Sequence, residues 1–318
     1  MRDLDQEIWS PEFLITARPA VRRAIADMGD RCPVLAEHTA KWLALRCDLN
    51  RPEDYFTEPQ SVPLLALPWW LEHSIRGEVD ADFQADLMYS TISGYYFTRM
   101  LDDIMDGHQI DRAVLPALYP FHAQFLGTYF RYFPATDPFW KEFERILRIT
   151  VEAVAVEATL KDIGAAQFVS VSARKPAAAV IPLAAVCRHY CSSDLLPPWE
   201  EFFTLFGKWH QMGDDLSDWS SDYESGNRTW LLSEAERRCA DHESVPVWMG
   251  REGFRWVKVV MESWINDAVI AAARLNSPEL VRYLDLRRNS FSRHIDRLLN
   301  TADAWAKLLQ LDIPHPHS

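Results

Sequence analysis

Apolar residues recur along this chain at the three-to-four-residue spacing of a helix face, and few stretches alternate with the period of two that marks a half-buried strand. Two-residue hairpin signals between apolar strands are missing. The periodicity predicts helices over about 18–29, 34–47, 78–104, 114–132, 137–162, 168–191, 197–221, 229–240, 250–275 and 278–310. Breaks fall at Asn50-Arg51-Pro52, Pro134 to Pro138, Leu196-Pro197-Pro198 and Glu224 to Asn227, with Pro138 and Pro198 placed to open a helix in its first turn. No composition break, low-complexity linker or fixed repeat divides the sequence. The expectation is therefore a single all-α domain over residues 1–318, an antiparallel helical bundle around a central apolar cavity, with a frayed tail over about 311–318.

Composition narrows what such a bundle does. The chain is 48% hydrophobic with 11 Gly, and its 13 Trp, 16 Phe and 10 Tyr predict an aromatic core or an aromatic-lined pocket. A net charge of −13 argues against general affinity for nucleic acid or anionic membranes, so an anionic substrate needs local cations or metals. The five cysteines (Cys32, Cys47, Cys187, Cys191 and Cys239) are odd in number and form no CxxC pair, which predicts reduced thiols and a cytoplasmic protein. The acidic stretch Met1 to Asp5 lacks the apolar core of a signal peptide. No run approaches the roughly 18 uninterrupted apolar residues of a membrane span, so stable membrane insertion is not expected.

Two acidic clusters carry the candidate chemistry. Asp102-Asp103-Ile104-Met105-Asp106 ends the apolar, aromatic run from Asp86 to Leu101, with Gly107 placed to stop the helix. Acidic residues at a helix C-terminus oppose the macrodipole, a local rule that functional sites break. The second cluster is Asp214-Asp215-Leu216-Ser217-Asp218 with Asp222, in which Asp214, Asp218 and Asp222 follow an i, i+4, i+8 stripe. Like charges at that spacing repel by a few tenths of a kcal/mol per pair, and a fold that keeps them twice predicts a compensating cation. Oxygen ligands without His or Cys predict Mg²⁺, and two such helices facing each other would hold several ions suited to a diphosphate.

In this order, and about 110 residues apart, the paired motifs resemble those of the class I isoprenoid synthases, the superfamily of terpene cyclases, trans-prenyl diphosphate synthases and squalene/phytoene synthases. The resemblance spans roughly residues 80–235. It implies an all-helical bundle around an apolar cavity, a linear prenyl diphosphate substrate, three Mg²⁺ ions with substrate bound, and a possible homodimer. Asp102, Asp103 and Asp106 match the first motif, DDxxD, and Gln211, Asp214, Asp215 and Asp218 match the QxxDDxxD second motif of prenyl diphosphate synthases. Asp214, Asp218 and Asp222 also fall at the register of the cyclase metal triad, although aspartates at its second and third places depart from the usual pattern. By the same resemblance Arg174-Lys175, Arg228 and Gln211 would contact the diphosphate. The alternative for the three basic residues is a solvated surface cation. Arg282-Tyr283 is similar to a cyclase Arg-Tyr pair but is a common dipeptide, and Arg99, one turn before Asp103, is placed to pair with a carboxylate.

Tyr95, Tyr96, Phe97, Phe168, Trp209 and Trp219 lie within a few turns of the motifs, where core packing and cavity lining are both open. His108, His189 and His210 show no metal-ligand spacing and read as structural or surface residues. Chain-elongating synthases carry an arginine pair after the first motif and an N-terminal Gly-Lys-Arg cluster. Here Arg112 stands alone, and Arg18 to Arg23 lacks that form. The expectation is a Mg²⁺-dependent terpene synthase, with a prenyltransferase (head-to-head or chain-elongating) or a non-catalytic prenyl-binding bundle as alternatives.

Overall fold

The structure, a computed structural model, describes residues 8–47, 52–58, 61–105 and 107–308. Asp106, the Asn50-Arg51 break, the Met1 to Asp5 stretch and the expected frayed tail lie outside the described residues. Every regular element among the described residues is a helix, as the periodicity predicts. Two compact units form: residues 1–144 with 179–196, and residues 145–178 with 197–318.

The first unit is built around α4 (Ala81–Met105), which packs on α1 (Pro11–Arg31) and α5 (Leu118–Tyr132). The Ser10 hydroxyl caps α1 by accepting from the Phe13 N–H, and Asp80 caps α4 by accepting from Phe83. On α4, Ser90 donates to the Phe125 carbonyl at 2.8 Å and Ser93 to the Gln124 side chain at 3.1 Å. Gly94 permits this approach, because a Cβ there would stand 2.9 Å from the Phe125 ring. That ring is held by Tyr129 and Phe143, so Gly94→Ala is expected to cost about 1–3 kcal/mol, read as a lower melting temperature. Asp86, one turn before Ser90 on the same face of α4, gathers Arg23 of α1 with Arg131 and Tyr132 of α5.

Two further helices complete the surroundings of α4. α2 (Pro33–Cys47) follows α1 and packs on it. α3 (Ala66–Arg76) packs on α8 (Ile181–His189), with the buried Glu72 carboxylate accepting from Arg76, Gln84 and Tyr190. The periodicity does not predict α3, whose sequence is punctuated by proline. Pro68 is its third residue, where a helix has no use for the missing N–H.

In the second unit α9 (Leu196–Ser225) packs through Phe206 and Trp209 on Tyr283 and Phe291 of α13 (Pro278–Leu308). α12 (Phe254–Ala272) packs on α13 and carries Trp256 and Trp264. The Trp264 ring stacks with Phe168 of α7 (Ala165–Ser170) and Trp230 of α10 (Trp230–Arg238), and Trp256 meets Trp230 edge-on. The single helix expected over 168–191 is broken. α7 gives way to a tight 3₁₀ segment over Ser172–Val180, and α8 begins at Ile181. Pro176 and Pro182 remove the amide donors that one continuous helix needs. By length and composition alone Ala165–His189 would suffice to cross a membrane, and 56% of its most apolar window is buried inside the protein.

Candidate functional site

Both acidic clusters stand at helix C-termini closed by a left-handed glycine. α4 ends at Met105. Gly107 has φ +71°, its N–H donates to the Ile104 carbonyl, and that of His108 donates to the Asp103 carbonyl. α9 ends in the same way, with Gly226 at φ +75° and the Asn227 N–H on the Asp222 carbonyl. These are the bonds of a glycine-terminated helix cap, and they fix where each acidic segment leaves its helix.

In the first unit the motif divides. Asp102 is half-buried, whereas Asp103 is fully buried. The Arg46 guanidinium lies 2.8 Å from Asp103 Oδ2, and the Trp42 indole donates to the same oxygen at 3.0 Å. Arg99 lies 3.8 Å from Oδ1, the i, i+4 partnership its spacing predicts, and His108 Nδ1 lies 3.4 Å from it. A burial that would penalise a lone carboxylate is thus offset by two cations and an indole N–H. Trp42 and Arg46 belong to α2, about 60 residues away in sequence, and no local signal marks them.

In the second unit the helical stripe places Asp214 and Asp218 in solvent, with Asp222 half-buried and accepting from the Asn227 side chain at 3.0 Å. Asp215 is turned inward and is only 6% exposed. Burial pushes its carboxyl up from 3.8 to about 7, against the hydrogen bond from Gln211 at 3.0 Å and the Lys175 ammonium, both of which favour the charge. His210 lies 3.7 Å from Asp214, and its burial disfavours the imidazolium. The i, i+4 spacing of His210 and Asp214 is the signal that could have flagged this pair in the sequence.

The expected diphosphate contacts are placed unevenly. Gly207 of α9 lets the 172–180 segment approach, since a Cβ there would lie 3.2 Å from the Ala173 carbonyl oxygen. This brings Lys175 to the electrostatic neighbourhood of Asp215, with its ammonium 2.7 Å from Glu157. Arg174 is exposed, and Arg228 is exposed and paired with Glu236 at 2.7 Å. Arg282 is exposed, while its neighbour Tyr283 is buried and accepts from Arg287 at 2.9 Å.

The aromatics divide between packing and lining. Tyr96, Phe168 and Trp209 are core residues, Tyr95 pairs with Tyr55, and Trp219 meets Phe254. Phe97, with Arg112, Leu115, Tyr119 and His122, lines an open depression of about 640 Å³ in the first unit.

Among the described residues no three His, Cys, Asp or Glu side chains are grouped to hold a metal ion. The exposed carboxylates of α9 still fit Mg²⁺ in their donor chemistry, since this ion keeps much of its water and takes one or two carboxylates together with substrate phosphates rather than a closed protein cage. Asp103 has both carboxylate oxygens engaged, Oδ2 by Arg46 and Trp42 and Oδ1 facing Arg99 and His108.

No protein-family model matches the chain, and no curated protein does. Among solved structures it is similar to the geranylgeranyl pyrophosphate synthetase from the archaeon Geoglobus acetivorans, with 13% identity and a TM-score of 0.60 over 88% of this chain and 99% of that one. At that identity the likeness shows the fold: an all-helical architecture shared with a prenyl diphosphate synthase.

Proposed function

We propose that this chain is a Mg²⁺-dependent class I terpene synthase that ionises a linear prenyl diphosphate. The observation that carries the reading is the Asp214–Asp218–Asp222 stripe on α9, exposed at Asp214 and Asp218 and half-buried at Asp222, which separates from the buried Asp215 along the register of a cyclase metal triad. Asp214, Asp218 and Asp222 would be the Mg²⁺ carboxylates of the second motif, and Asp102 that of the first. Bound Mg²⁺ supplies electron withdrawal from the diphosphate as the allylic C–O bond breaks. Lys175 would add a cation toward the phosphate oxygens once its hold on Glu157 is exchanged, and Arg174 and Arg228 are the remaining candidates at the surface. Gln211 acts from behind, by fixing the Asp215 carboxyl through its side-chain amide. The net charge of −13 gives these cations their weight, because the field of the rest of the chain opposes a polyanion.

A prenyltransferase is the second reading, favoured by the fold shared with the archaeal synthetase. One assay separates the two. With geranyl, farnesyl or geranylgeranyl diphosphate and Mg²⁺, a terpene synthase releases diphosphate and a hydrocarbon or alcohol, and chelation stops the reaction. A longer prenyl diphosphate on addition of isopentenyl diphosphate, or a head-to-head product without it, selects the prenyltransferase. If no substrate releases diphosphate under either condition, both enzyme readings fail and a non-catalytic prenyl-binding bundle remains.

A further inference from the structure

The face of α2 that meets the first motif is a stripe of its own. His38, Trp42 and Arg46 recur at i, i+4 and i+8, so they share one side of the helix. All three reach the segment that carries the motif. Arg46 and Trp42 take Asp103, and His38 Nδ1 lies 2.7 Å from Asp111 Oδ2, beyond the Gly107 cap. The Asp111 carboxyl also accepts the Ala113 N–H at 2.9 Å, so the loop is folded around the group that His38 holds. Trp42 is 6% exposed and packs edge-on against Tyr96 of α4, which fixes the stripe against the helix that delivers the motif.

We infer that Asp103 is the anchor of the first motif rather than one of its metal carboxylates, and that the His38–Trp42–Arg46 face of α2 is the clamp that holds Asp103 and Asp111. Oδ2 of Asp103 serves a guanidinium and an indole N–H, and Oδ1 faces Arg99 and His108. A metal bound by Asp103 would have to displace these cations from a fully buried group. Asp102, one residue earlier, is half-buried and shares with Asp103 the electrostatic pull of Arg99. The metal half of this inference rests on the proposed function; the clamp does not.

Mn²⁺ with inorganic pyrophosphate, followed by electron paramagnetic resonance, tests the assignment alongside thermal unfolding. Asp103→Asn is expected to lower the melting temperature while Mn²⁺ affinity stays within about threefold of the unmodified protein. Asp102→Asn is expected to weaken Mn²⁺ at least tenfold with the melting temperature kept. Arg46→Gln should lower the melting temperature, Arg46→Lys should restore most of it, and Arg46→Gln should add little once Asp103 is already Asn. A tenfold or greater loss of Mn²⁺ affinity in Asp103→Asn overturns the assignment. An unchanged melting temperature in Arg46→Gln overturns the clamp, and this holds even if Asp103→Asn does not fold. If Asp102→Asn also leaves Mn²⁺ affinity unchanged, the metal reading of the first motif fails while the clamp stands on the unfolding data.

Discussion

Asp218→Ala is expected to reduce kcat/KM for diphosphate release by at least about 10³, or ~4 kcal/mol of transition-state stabilisation, with no loss of melting temperature. The two halves of this expectation have separate physical grounds. Asp218 is exposed midway along the stripe, one turn from Asp214 and one turn from Asp222. Removing it relieves two like-charge neighbours, each worth a few tenths of a kcal/mol, and a substitution at an exposed position usually changes stability by no more than about 0.5 kcal/mol, so the melting temperature is expected to hold. A bound metal ion would offset the repulsion within the stripe. The loss should appear mainly in kcat, because a metal ligand acts on charge that develops as the bond breaks. Steady-state kinetics with the best substrate from the assay above, set beside a thermal melt of the same protein, checks both halves. Release by Asp218→Ala within threefold of the parent enzyme would remove the stripe from the reaction.

The contrast between Asp218 and Asp215 shows how far the sequence could be read. Helix type was legible almost throughout, because the apolar period survives in long elements such as α9, α12 and α13. Proline marks the two departures from the periodic pattern. Pro68 falls in a first turn that tolerates it, so α3 forms, and Pro176 and Pro182 break 168–191. The acidic clusters, their glycine stops and the Arg99 partnership are local in sequence and were legible for that reason. Facing was not. Asp102 and Asp103 are adjacent in sequence but differ in burial, and so do Asp214 and Asp215, because a step of one residue turns a side chain by about 100° around the helix. Which of each pair faces inward depends on a partner helix. For Asp103 that partner is α2, through Trp42 and Arg46, a contact between residues far apart in the chain that leaves no periodic trace.

Asp215→Asn is expected to stabilise the metal-free protein by about 2–4 kcal/mol at pH 8 and to leave it nearly unchanged at pH 4. The folded-state value of Asp215 is raised from 3.8 to about 7, chiefly by burial. Between those values the unfolded chain gives up a proton that the folded protein retains. The unfolded state therefore binds fewer protons, and this residue's contribution to stability falls as pH rises through the interval and then levels above about 7. Asparagine keeps an oxygen to accept the Gln211 N–H and never ionises, so it removes the penalty without removing the hydrogen bond. With chelator present, the melting temperature of Asp215→Asn minus that of the parent should grow from near zero at pH 4 to roughly 4 °C or more at pH 8. Lys175 provides the internal check. Its charge favours the Asp215 carboxylate, so Lys175→Met should move the upper end of the interval to higher pH and enlarge the difference there. A difference that is flat from pH 4 to pH 8 would mean that Asp215 is ionised in the folded protein throughout, and that water or a cation reaches it behind Gln211.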